Sequence, residues 1–108
     1  MPYTAVHRFA QIGARKMRAI ADLIRNKLAD EALEILRFQP HRGARMLEKV
    51  LRSALANAEN RESPNVRGLV VVDVRVDEGP HAKRMRPHAR GMASIIKKRT
   101  SHISVALE

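Results

Sequence analysis

Between Pro80 and Thr100 the chain carries seven basic side chains (Lys83, Arg84, Arg86, Arg90, Lys97, Lys98 and Arg99) and no acidic one. Before this stretch stands an alternating apolar segment, Leu69 to Asp77, and after it a second, with Ile103, Val105 and Leu107. Two strands joined by so long a basic connection predict a hairpin. Its outer half has too few apolar residues to pack and too much like charge to fold back on its own protein. With a turn near Pro87 to Arg90, about fifteen residues a side at ~3.3 Å each would carry the tip roughly 40–50 Å outward. Such an arm needs an anionic surface to lie against. The remaining residues read as its base.

The base is legible from periodicity. Tyr3 to Ala10 alternates weakly and reads as a short strand, which Gly13 ends. From Ala14 the spacing turns helical, with Met17, Ile20, Ala21, Ile24 and Leu28 on one face. Arg15, Lys16 and Arg18 fall on the other faces near the start of this helix. Cations there oppose the helix dipole at a few tenths of a kcal/mol each, a cost that a bound phosphate would reverse. An ordinary solvated face reads equally well from the same spacing. A second helix, Asp30 to Phe38, buries Leu33, Leu36 and Phe38, and Pro40 stops it. A third, Arg42 to Asn60, carries a stripe of Leu47, Val50, Leu51, Ala54, Leu55 and Ala58. Its Ala54, Ala56 and Ala58 permit close packing, so it is the core helix. Arg61 to Gly68 is rich in turn residues, including Pro64 and Asn65. In Leu69 to Asp77, Val70, Val72, Val74 and Val76 share one face of a half-buried strand.

The order of strand, three helices and two strands gives an α+β fold: a two-layer domain with an antiparallel sheet and a long, protruding basic β-hairpin. At 108 residues the chain makes one domain. Its body spans about 1–78 and 101–108, and its arm about 79–100.

Charge narrows the partner. With 21 Lys+Arg against 11 Asp+Glu, the net charge is +10, and the excess sits in the first 27 residues and in the arm. That footprint suits a nucleic acid. Only Tyr3, Phe9 and Phe38 are aromatic, which disfavours a protein that reads single strands mainly by stacking. There is no cysteine, so thiolate metal sites and disulfides are excluded. No run approaches the ~20 apolar residues of a membrane span, and no apolar leader precedes Lys16. The five histidines, His7, His41, His81, His88 and His102, have no paired ligand spacing, so neither metal nor cofactor is expected. His81, His88 and His102 lie in basic surroundings, where hydrogen bonding to RNA or backbone is their natural role. Asp77 and Glu78 point to opposite sides of a strand and make a poor acid–base pair. No phosphate-binding Gly-rich loop or nucleophile elbow is present, and nothing supports an enzyme.

Several blocks carry a family resemblance: VDEGP at Val76 to Pro80, Lys83-Arg84, Pro87, Ala89-Arg90-Gly91 and KRTSHI at Lys98 to Ile103. Together with ADLIR at Ala21 to Arg25 and ALANAEN at Ala54 to Asn60, the chain resembles the bacterial-type L-twenty-two family of large-subunit ribosomal proteins. The likeness runs from about Tyr3 to Val105. It implies a structural role in the large subunit, with the body seated on large-subunit ribosomal RNA near the peptide exit tunnel. It also implies help in subunit assembly and a hairpin that lines the tunnel beside neighbouring ribosomal proteins. Carried over by position, Lys83, Arg84, Arg86, Arg90, Lys98 and Arg99 would contact RNA. Arg8, Arg15, Lys16, Arg18, His88, Lys97 and His102 complete the expected RNA surface. The tip, Met85, Arg86, Pro87, His88, Ala89 and Arg90, would face the tunnel and the nascent peptide. The chain has His88 and Met92 where the family commonly has Arg, so two fixed cations are missing from the arm. The implied location is the cytoplasmic ribosome or that of an organelle, with no homo-oligomer.

Two other classes compete on the residues. A DNA-bending protein would use Pro87 or Met85 as a wedge between base steps, but such proteins work as dimers and no dimer seam is visible. An RNA-modifying enzyme would need a nucleophile or base, and none is evident.

Overall fold

A computed structural model describes residues 3–62 and 68–108, so Pro64 and Asn65 of the expected turn lie outside the described residues. The elements are β1 (Tyr3–Ala10), α1 (Ala14–Ile24), α2 (Ala29–Phe38), α3 (Arg42–Asn60), β2 (Val71–Glu78), β3 (Ala82–Pro87), β4 (Ala93–Lys98) and β5 (Ser101–Leu107). The fold is α+β, as the residue pattern predicts. Each of the two long strands is divided in two, giving a three-stranded sheet in the order β1-β5-β2 and a separate two-stranded ribbon of β3 and β4.

Strand β5 is central and antiparallel to both neighbours, and Ser101, Ile103, Val105 and Leu107 all point to its buried face. Helices α1 and α3 cover that face and α2 packs against both of them, so that Met17, Ile20, Ala21 and Ile24 from α1, Leu36 from α2, and Leu47, Val50, Leu51, Ala54 and Ala58 from α3 join one core with it. Asn57 on α3 donates from its side-chain amide to the Thr4 carbonyl at 2.7 Å, tying the core helix to β1.

The free edge of β2 is covered by α1 and the segment after it. The backbone N–H of Asn26 donates to the Val71 carbonyl and that of Ala29 to Leu69, while the Val71 N–H donates back to Lys27. Arg25 adds a bond from Nη2 to the Val74 carbonyl, and Arg18 donates to the Val76 carbonyl from Nε and Nη2 at 3.2 and 3.1 Å. Backbone groups that would otherwise invite another strand are thereby occupied.

Several expectations change. Leu28 does not extend the α1 stripe. The helix stops at Ile24, Asn26 takes a left-handed conformation, and Leu28 bridges to Val70 with its side chain part-exposed. Phe38 is 82% exposed at the last position of α2, Ala56 faces solvent and Leu55 is only partly buried. On β2 the buried set is Val71, Val74 and Val76, with Val72 exposed. Val71 pairs with Leu107 but Asp73 with Ala106, so Val72 is an extra residue in the ladder, and the alternation expected from Val70 is displaced there.

The arm is shorter than the fifteen residues a side read from the sequence. Body pairing continues to Glu78 opposite Ser101, and ribbon pairing starts at Ala82 opposite Lys98. Between them Gly79 donates its N–H to the Thr100 carbonyl at 2.9 Å, and Thr100 Oγ1 donates to Pro80. A Cβ on Gly79 would lie 2.5 Å from Thr100 Oγ1 and 3.3 Å from the Thr100 carbonyl carbon, so only glycine fits this crossing without movement. The whole molecule measures 64 × 24 × 17 Å, the long axis reflecting the arm.

Burial separates apolar residues that the sequence pattern treats alike. Leu47→Ala should destabilise the body by about 2–5 kcal/mol, because it empties a fully enclosed site. Phe38→Ala should stay within about 0.5 kcal/mol. Urea unfolding of both variants checks the contrast.

Candidate nucleic-acid interface

The arm's ladder runs from Ala82↔Lys98 through Lys83↔Lys97, Arg84↔Ile96, Met85↔Ile95 and Arg86↔Ser94 to Pro87↔Ala93. Alternation then sorts the side chains. Met85, Pro87, Ile95 and Ala93 share one face with Lys83 and Lys97, whereas Arg84, Arg86 and Lys98 share the other with Ser94 and Ile96. Both faces are open: Met85 is 76% and Ile95 65% exposed, and among residues 79–100 none is buried. The ribbon therefore holds its shape by backbone pairing, not by a core.

At the tip the His88 N–H donates to the Met92 carbonyl, closing a loop in which Arg90 and Gly91 have φ of 65° and 72°. His88 Nε2 lies 2.5 Å from Ser94 Oγ across the ribbon. The imidazole thus braces the turn.

At the foot of the arm lies a groove of about 1190 Å³, walled by the start of α1, the start of α3 and the crossing at Gly79 and Thr100. Arg15, Lys16, Arg42, Lys97, Lys98 and Arg99 line it with His41 and His81, and Glu78 is the one carboxylate among its described lining residues. The helices open into it uncapped. Gly13 and His41 precede their first turns, neither makes a side-chain cap bond, and neither first turn contains an acid. The orphan N–H groups of two helices and six cations therefore converge on one concavity, an arrangement complementary to phosphate.

The structure thus gathers five of the expected residues, Arg15, Lys16, Lys97, Lys98 and Arg99, into this groove. It leaves Lys83, Arg84, Arg86 and Arg90 along the arm. Arg18 sits apart, its guanidinium committed to the edge of β2. Arg8 and His102 lie on the outer face of the sheet, away from the groove, beside Phe9 and Asp77. His41 and Arg42 belong to the groove although their segment is balanced in charge. The signal for them is a helix start without an acid, the same signal that marks Arg15 and Lys16. Among the described residues no three His, Asp or Glu side chains gather as a metal site would require, and no helix is long and apolar enough to cross a membrane.

A family model described as Ribosomal protein L22p/L17e matches residues 5–108. A protein named large ribosomal subunit protein uL22 from Rhodopirellula baltica is 54% identical over 110 residues, covering 97% of this chain and 92% of its own. Its namesake in Caldicellulosiruptor saccharolyticus is 53% identical, covering 97% of this chain and 86% of its own. That of Akkermansia muciniphila is 50% identical, with 99% and 96% covered. The basic arm, the groove at its foot and a likeness spanning nearly the whole chain agree, and the chain belongs to the ribosomal protein L22p/L17e family.

Proposed function

We propose that the protein grips large-subunit ribosomal RNA with its arm and foot groove, and that the arm's tip forms part of the wall of the nascent-peptide exit tunnel. Family membership makes the chain a structural protein of the bacterial large ribosomal subunit, at work in the cytoplasmic ribosome, and not an enzyme. Its partners there are ribosomal RNA and other ribosomal proteins.

One observation carries the finer reading: seven cations lie on a ribbon with no buried residue and no carboxylate. The free protein gains nothing from that concentration of charge. A polyanion both neutralises it and supplies the contacts the ribbon lacks. In this reading Lys83, Arg84, Arg86, Arg90, Lys97, Lys98 and Arg99 hold phosphates on the arm, and Arg15 and Lys16 hold them in the groove. Arg guanidinium groups bind two phosphate oxygens at once, while Lys acts as a point charge. Such contacts fix position without reading base sequence. Residues 1–78 and 101–108 form the single folded body, and 79–100 the arm that RNA orders. An arm anchored at once in several RNA segments would also favour early subunit assembly.

At the tip, Met85, Pro87 and Ala89 present apolar atoms beside Arg86, His88 and Arg90. That mixture offers a passing nascent chain little to bind. Met85, Pro87, Ala93 and Ile95 form an apolar patch towards the tip, opposite Arg84 and Arg86, while Lys83 and Lys97 share their face nearer the body, which supports a geometry with RNA around the lower ribbon and the tunnel or a neighbouring ribosomal protein against the apolar patch.

Two measurements test the proposal. In lysate washed at about half-molar salt, where loose electrostatic binding is lost, the protein should sediment with large subunits at one copy each. Release into the soluble fraction would refute it. Replacing Lys83, Arg84, Arg86 and Arg90 together by Ala should flatten the salt dependence of RNA binding by about three units, at 0.7–0.9 per phosphate neutralised. An unchanged slope would mean that these side chains do not touch phosphate.

A further inference from the structure

Phe9 combines features that a merely structural residue would avoid. It is a large aromatic side chain, 59% exposed, on a backbone with φ of 57°. Non-glycine residues reach that region at a cost, and aromatic ones seldom do, so something must hold it there. The ladder shows how the position arises. His7 pairs with Ile103 and Ala10 with Ser101, so Arg8 and Phe9 together oppose His102 in a bulge. The Phe9 N–H donates to Nδ1 of His102 at 3.0 Å, and the two rings meet edge to face with centroids 4.8 Å apart. Accepting at Nδ1 fixes the neutral imidazole as the tautomer with hydrogen on Nε2. The bulge thus presents an aromatic ring on the outer face of the sheet, the face opposite the helices.

Around this ring lies an open concavity of about 320 Å³, lined by Val6, Arg8, Phe9, Asp77, His102 and Ser104. Its composition is chemically specific. Phe9 supplies a stacking surface and Val6 an apolar floor, while Arg8 brings a cation able to fork onto phosphate. The carboxylate of Asp77 and the hydroxyl of Ser104 can meet a base edge. Sheet faces bearing an aromatic residue among polar groups are how many proteins take up bases splayed out of RNA.

We infer that this outer-face concavity at Phe9 binds a single unpaired RNA nucleotide, with the base stacked on Phe9 and the phosphate on Arg8. Asp77 accepts only, so it favours a base that donates two adjacent hydrogens, and guanine does so through N1–H and its 2-amino group. The inference rests on the RNA-binding reading and adds a contact separate from the arm and groove, made by shape and stacking as well as charge. The few aromatics in the chain argue against stacking as the general mode, not against one stacked base.

The test uses the full chain bound to large-subunit RNA. Short-wavelength irradiation followed by peptide mass spectrometry should find a nucleotide adduct on Phe9, predominantly guanosine, and none at that peptide in Phe9→Leu. Binding by Phe9→Leu should weaken about tenfold, in line with the loss of one stacked base, with an unchanged salt slope because no charge is removed. Phe9→Tyr should restore it. Arm adducts without one at Phe9, or full affinity in Phe9→Leu, would overturn this site and leave the RNA reading standing. Absence of adducts anywhere would remove the RNA reading itself.

Discussion

The pairing of β2 with β5 is the interaction on which the rest depends. It runs from Val71 opposite Leu107 to Glu78 opposite Ser101, and it clamps both ends of the arm. Because β5 also pairs with β1 and buries Ile103, Val105 and Leu107 under the helices, the arm's feet are set in the best-packed part of the molecule. Stability is therefore unevenly spread. The body is closed by apolar burial, whereas the arm has a backbone ladder and little else. The crossing at Gly79 and Thr100 separates the two regimes.

That division has an electrostatic counterpart. In the body, charges are spent locally: Arg18 and Arg25 cap the edge of β2, and Glu48 on α3 pairs with Arg45 and Arg52. Surface pairs of this kind add little individually. In the arm and groove no ion pair is found among the described residues, although Arg42 donates to the Gln11 carbonyl and Arg84 to that of Lys83, and two helix N-termini add their partial positive charge. Like charge held together on a rigid foot and a thin ribbon gives a surface that a folded polyanion can satisfy more fully than salt can. In the proposed complex, RNA would fix the arm's position and remove the repulsion in one step.

How much of this was written in the sequence depends on what each element answers to. β1 and α3 were legible, because Tyr3 to Ala10 alternates, if weakly, and the stripe from Leu47 to Ala58 is long. The hairpin was legible from two alternating strands joined by a long, purely basic connection. Its reach was overestimated because β2 and β5 stay paired to Glu78 and Ser101 before the ribbon begins. Leu28 and Val72 misled for a shared reason. Each obeys a local period that backbone pairing overrides, at the Leu28–Val70 bridge and at the bulge before Asp73. The groove was half legible: Arg15 and Lys16 stood out, but their convergence with Arg42, Lys97 and Arg99 is a product of tertiary packing. Arg18 shared the helical pattern of its neighbours and still serves the sheet edge. The Phe9 bulge left no sequence signal, since nothing in one strand records the residue it skips on another.

On the proposed function, the body folds by itself and RNA fixes the arm. Hydrogen exchange on the full chain, free and bound to large-subunit RNA, tests it most directly. In the free protein the amides of β5 should exchange last, near the limit set by global unfolding, and those of β3 and β4 early, by local opening. Bound to RNA, the β3 and β4 amides should slow towards those of β5. If they are already as slow as β5 without RNA, or remain fast with it, RNA is not what fixes the arm.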